Sequence, residues 1–163
     1  MNIGRILLAI ACASLAGCVS APKINSAFNA NEAAFIHQQG RGVIRGQAFL
    51  RRNDGIVVYA AGSDVVLIPK TIYSTERINA LYRGAKINYF VPSPESPPGF
   101  EEATKRTKAN GEGRFEFAGL SDGDYYVVTK VMWLVGNASQ GGALMEPVSI
   151  QSGGTVEIIM TGQ

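Results

Sequence analysis

The chain has 163 residues, of which 15 are basic and 13 acidic, for a formal net charge of +2. That near-neutral balance gives no general attraction to phosphate backbones and argues against a nucleic-acid partner. The length suits one domain with a real core, and a single histidine with two cysteines leaves little material for soft-metal or hydrolytic chemistry.

The chain opens with Arg5 ahead of an apolar run, Ile6 to Ala11, and a small-residue exit at Leu15-Ala16-Gly17-Cys18. A charged start, a short apolar middle and such an exit make a secretory signal, and the run is too short to span a bilayer. The final quartet resembles the lipobox of bacterial lipoproteins. The resemblance implies that residues 1–17 are a signal peptide removed before Cys18, that Cys18 receives a diacylglycerol on sulfur and an acyl group on its new amine, and that this lipid holds the chain at a membrane. Each buried methylene contributes about 0.8 kcal/mol, and two or more chains hold firmly. On the same resemblance Val19, standing where Asp would favour retention, implies an outer-membrane lipoprotein of the cell envelope. With Cys12 discarded and Cys18 acylated, neither cysteine would form a disulfide. Cleavage after Ala11-Cys12-Ala13 is the rival reading and would release a soluble protein with Cys18 as a free thiol.

Residues 18–41 are then expected to be the lipidated cysteine, a tether from Val19 to Asn25 and a short helix over Asn31 to Gln39, with Asn31 capping and Gly40 terminating. From Gly42 the pattern changes to strands, and residues 42–163 read as one β domain. Ile44, Ala48 and Leu50 share one face and Arg45, Gln47 and Arg51 the other. Asn53-Asp54-Gly55 supplies a turn, and Ile56 to Ala60 and Val65 to Ile68 are the next strands, the second ended by Pro69.

Ser74 to Gly84 reads as a helix of about two turns, Ser74 capping and Ile78, Leu81 and Tyr82 recurring at helical spacing. Pro92, Pro94, Pro97 and Pro98 make an extended loop running to Phe100, expected on the surface as a contact site. Beyond Thr104 the chain alternates strands and turns. Phe115 and Phe117 point the same way, and Asp124 to Trp133 is the longest strand, apolar on both sides and so expected to be covered on both faces. Gly136, Gly141 and Gly142 mark a turn before Leu144 to Ile150, and Val156, Ile158 and Met160 lie on the last strand. About seven short strands at regular turn spacing predict an all-β sandwich of Greek-key type with a short helix and a Pro-rich loop inserted.

The run from Asn110 to Tyr126 resembles the carboxypeptidase regulatory-like domain, whose signature is a Gly-x-Phe-x-Phe hairpin, then Leu, then Gly-x-Tyr; here these are Gly113, Phe115, Phe117, Leu120, Gly123 and Tyr125. The resemblance implies a transthyretin-like sandwich in which the motif is a packing device. Gly42 to Leu50 and Val66 to Ser74 also resemble segments of bacterial lipoproteins carrying such a domain.

No catalytic set, metal site or cofactor site is expected. His37 stands alone before the first confident strand, and Asp54, Asp64, Glu101, Glu102, Glu112, Asp122 and Asp124 fit solvated turns better than calcium or paired-carboxylate chemistry. Leu81-Tyr82-Arg83-Gly84 resembles the end of the hydroxyisourate hydrolases, but Ala85 and the missing histidines mark a coincidence. The preferred expectation is therefore a non-enzymatic interaction or structural module presenting loops to another envelope protein. The alternative is a carbohydrate-binding module for cell-wall or surface glycan, using whichever of Tyr73, Tyr82, Tyr89 or Trp133 is exposed.

Overall fold

The computed structural model describes residues 20–87 and 91–162, so Cys18, the signal segment and Tyr89 lie outside the described residues. Among the described residues ten strands form two sheets, more than the seven expected, because short pairs such as Tyr82–Arg83 with Lys86–Ile87 carry too little alternation to be read as strands. In chain order they are β1 (Gly42–Arg51), β2 (Val57–Tyr59), β3 (Asp64–Pro69), β4 (Tyr82–Arg83), β5 (Lys86–Ile87), β6 (Lys105–Lys108), β7 (Arg114–Leu120), β8 (Gly123–Val135), β9 (Ala138–Ile150) and β10 (Thr155–Met160). The larger sheet has the order β4-β5-β9-β8-β3-β6. In the smaller sheet β1 is flanked on one side by β10 and pairs also with β7 and β2. The β1–β10 pair is parallel, from Val43↔Thr155 to Ala48↔Met160, whereas β7 and β2 run antiparallel to β1. Ala48 marks the junction of the last two: its amide donates to the Gly113 carbonyl and its carbonyl accepts from the Ala60 amide.

Alternation does what period two requires. Ile44, Ala48, Phe115, Phe117 and Met160 from the smaller sheet meet Val65, Leu67, Tyr125, Val127, Val131, Leu144, Val148 and Ile150 from the larger. Each such side chain contributes about 1.5–3 kcal/mol when fully buried. The Phe-x-Phe hairpin packs as expected, and the Tyr125 hydroxyl donates to the Ser121 carbonyl at 2.8 Å. At the head of the hairpin Asn110 Oδ1 accepts from the amides of Glu112 and Arg114, and Gly113 turns with φ +71°, where a Cβ would stand 2.4 Å from the Ala48 carbonyl oxygen.

Local expectations shift in four places. The first helix is Ala30–Ala33 (α1), capped by Asn29 rather than Asn31 because Asn29 Oδ1 takes the Asn31 amide; a 3₁₀ turn, Ala34–His37, follows and buries Ile36 in the core. The second helix, Ile72–Leu81 (α2), starts earlier than read. Thr71 is its cap, and Ser74 is the reciprocal member of a capping box that also donates to the Pro69 carbonyl at 2.6 Å. The β8–β9 turn is the pair Gly136-Asn137 alone, while Gly141 and Gly142 lie within β9. Finally, β8 is covered on both faces only along its first half. α2 lies over Tyr126 and Val128, but Met132 and Leu134 are exposed because the β8–β9 hairpin outruns both β3 and α2.

Candidate functional site

α2 and the Pro-rich loop form one knot. The Arg77 guanidinium donates to the Pro94 carbonyl at 2.8 Å, to the Glu95 carbonyl and the Tyr73 hydroxyl at 3.2 Å, and to the Ser93 hydroxyl at 3.3 Å, while lying 5.4 Å from the Phe100 ring centroid. Phe28, Tyr73 and Phe100 pack edge to face, with centroids 5.2–5.8 Å apart. One residue before Arg77, Glu76 accepts from the amides of Asn25 and Ser26 at 2.7 and 2.8 Å, and these bonds hold its carboxyl down to about 2. Successive side chains on α2 therefore fasten the incoming chain and the loop. Pro92 and Pro98 are exposed and Pro94 and Pro97 half-buried, but Phe100 is buried as the loop's anchor and offers no contact surface.

Among the described residues the aromatic candidates do not form a platform. Tyr73 is covered by Phe28 and Phe100, and Tyr82 is buried between α2 and the larger sheet, where desolvation pushes its hydroxyl up to about 12. Trp133 is half-buried against the main core, its Nε1 enclosed and without a hydrogen-bond partner among the described residues. A cavity of 180 Å³ beneath the knot, lined by Val66, Ile68, Ile78, Leu81 and Val128 and also by Arg77, Glu101, Thr104 and Arg106, lies below the usual range for a ligand pocket of about 300–1,000 Å³.

The polar alternative face of β1 builds a different site. Because β10 and β7 flank β1 in fixed register, outward side chains line up in rows across three strands: Glu157, Arg45 and Glu116 in one, Ile159, Gln47 and Arg114 in the next. Between them the inward-facing row Ile158, Gly46 and Phe115 leaves backbone as a floor, and Gly46 is required there because a Cβ would stand 2.3 Å from Cζ of Phe115. The result is an open groove of 880 Å³ across the outer face of the smaller sheet, closed at one side by Thr107, Lys108 and Asn110. Farther along the same face Phe49 pairs with Tyr59, ring centroids 6.0 Å apart, and Tyr59 is 42% exposed.

The groove's charged groups hold one another. Arg45 Nε donates to Glu116 at 2.7 Å, which holds the guanidinium proton more firmly than usual, and Lys108 pairs with Asp64 at 2.7 Å, lowering that carboxyl. Arg114 pairs with Glu112 at 3.2 Å, and Gln47 Nε2 donates to the Glu112 carbonyl at 2.9 Å, which leaves its own oxygen free to accept. Rows of amide, guanidinium and carboxylate beside an exposed aromatic can take a ligand bearing many hydroxyls and apolar ring faces. Alternation along β1 makes the polarity of Arg45 and Gln47 legible in the sequence but does not mark Phe49 and Tyr59 as a pair. The available signal was Phe49, an aromatic in the outward phase of β1.

Three of the carboxylates considered for chemistry hold local structure together. Asp54 accepts from the Ile56 amide and Arg52, Glu101 from Arg106, and Asp122 from the amides of Ser152 and Gly153. His37 is exposed, and among the described residues no group of three or more His, Cys, Asp or Glu side chains is set to hold a metal.

No family model matches this chain, and no curated protein matches it. Among solved structures, a Pseudomonas aeruginosa protein (PA1324) provisionally described as carbohydrate-binding is similar over 82% of this chain and 97% of its own, at 23% identity and a TM-score of 0.69. The major pilin subunit BcpA of Bacillus cereus aligns over 74% of this chain and 29% of its own (12% identity, TM-score 0.43), and the pilus 2b backbone protein of group B streptococcus over 76% and 42% (16%, 0.35). At the first of these identities the likeness shows a shared β-sandwich fold.

Proposed function

We propose that this chain is a non-enzymatic glycan-binding module of the bacterial cell envelope, anchored by acyl chains on Cys18 and binding through the outer face of its smaller sheet. The observation that carries the reading is the register that lines up Glu157-Arg45-Glu116 and Gln47-Arg114 beside the exposed Tyr59. The provisional description of the Pseudomonas protein supports it, as do the packing roles of Phe115, Phe117, Leu120 and Tyr125, which fit a carboxypeptidase regulatory-like domain. The lipobox-like Leu15-Ala16-Gly17-Cys18 supports the anchor and an outer-membrane location.

Affinity electrophoresis of the purified full chain through gels containing cell-wall and surface glycans tests the reading. At least one glycan retards the chain, and Gln47→Ala or Tyr59→Ala weakens binding about tenfold, equivalent to about 1.4 kcal/mol. Unretarded migration in every glycan refutes it. Contact with another envelope protein is the second reading, favoured by Met132, Leu134 and Val135, which are exposed together at the end of the β8–β9 hairpin. Photo-crosslinking from position 134 in intact envelopes that yields one specific adduct supports that reading, and its absence removes it.

A further inference from the structure

We propose, resting on the glycan reading, that the groove selects uncharged glycans and rejects uronate-bearing and other anionic ones. The groove and its rim hold three cations, Arg45, Lys108 and Arg114, and each is engaged by its own carboxylate: Glu116, Asp64 and Glu112. A fourth carboxylate, Glu157, stands opposite Arg45 in the β1–β10 register and has no hydrogen-bond or ion-pair partner among the described residues. Along the central row of the groove one cation, Arg45, thus stands between two carboxylates, Glu157 and Glu116.

An anionic sugar entering here would meet Arg45, Lys108 and Arg114 each already beside a carboxylate. Any bond it makes to the open nitrogens of Arg45 or Arg114 brings it beside the carboxylate already held there, Glu116 or Glu112, and at Arg45 beside Glu157 as well. Like charges at such range repel, and an exchange of one carboxylate for another yields nothing.

A hydroxyl group faces the opposite situation, because it both donates and accepts. The row Glu157-Arg45-Glu116 alternates acceptor, donor and acceptor at the strand spacing of about 4.8 Å. Arg45 uses only Nε in its ion pair, which leaves its terminal nitrogens to donate, and the free oxygen of Gln47 accepts in the next row. A polyol can join every one of these groups without breaking an ion pair. About two residues farther along β1, Phe49 and Tyr59 offer the apolar surface that a sugar ring face can cover.

The test compares three probes against the full chain at low ionic strength, where exposed charges act most strongly: a neutral glucan panel, polygalacturonate and chitosan oligomers. A neutral glucan binds at least tenfold tighter than polygalacturonate, its affinity hardly changes with salt, and Glu157→Gln narrows the gap severalfold by strengthening polygalacturonate binding alone. Polygalacturonate binding as tightly as the neutral panel overturns the selectivity and leaves the glycan reading intact. Chitosan binding tightest also overturns it, since that shows a site for cations. No binding by any probe overturns both the selectivity and the glycan reading.

Discussion

Replacing Arg77 by alanine removes the side chain that hydrogen-bonds α2 to the Pro-rich loop. Its two best loop bonds go to the Pro94 and Glu95 carbonyls, and the guanidinium also lies over Phe100. Hydrogen bonds from a charged donor contribute about 1.5–3 kcal/mol when well buried, but this side chain is only half-buried and water can reach the freed carbonyls, so about 1 kcal/mol each is appropriate. The cation–π contact adds about 0.5–1 kcal/mol. The expected loss is about 2–3 kcal/mol, read by urea unfolding through the fluorescence of Trp133, the single tryptophan. A Glu-specific protease should cut at the exposed Glu95 faster in the variant. Arg77→Lys restores less than half, since lysine keeps the charge without the planar fork. A loss below about 0.5 kcal/mol, with unchanged cleavage at Glu95, would refute the knot.

Gly46→Ala forces a methyl into the Phe115 ring, at 2.3 Å from Cζ, and overpacking of this kind costs about 1–3 kcal/mol; an unchanged urea midpoint would show that the ring moves aside freely. Glu76 tests pH dependence. Its folded pKa of about 2 lies below the usual 4.5, so the clamp on Asn25 and Ser26 is fully present above 4.5 and is lost as pH falls through about 2. NMR titration of the Glu76 side chain and of the Asn25 and Ser26 amides should show one shared low midpoint, and separate midpoints would contradict the clamp.

Alternation along β1, β3, β7 and β8 was legible because a half-buried strand must place apolar residues at every second position, and Phe115, Phe117 and Tyr125 sit inward as their spacing requires. The pattern gives the side a residue faces, not what lies over it. Tyr73 and Tyr82 could be read as free aromatics because their cover, Phe28 and Phe100 for one and the larger sheet for the other, comes from elsewhere in the chain. The same holds for Arg77, whose partners lie in the loop far beyond its helix. The groove depended on information that alternation cannot carry: a strand that pairs in parallel has the same pattern as one that pairs antiparallel, so the placement of Glu157 beside Arg45 waited on β10 docking against β1. Phe49 was the exception, since its outward phase was visible beside Arg45, Gln47 and Arg51.

Ligand binding on the outer face of the smaller sheet, as proposed, would perturb the residues that line it. Backbone amide shifts recorded while a neutral glucan is titrated into the isotope-labelled full chain test it most directly. Changes should cluster at Arg45–Phe49, Arg114–Glu116 and Glu157–Ile159, with Tyr59 among them. Changes centred instead on residues 92–100, or none at saturating glycan, would contradict it.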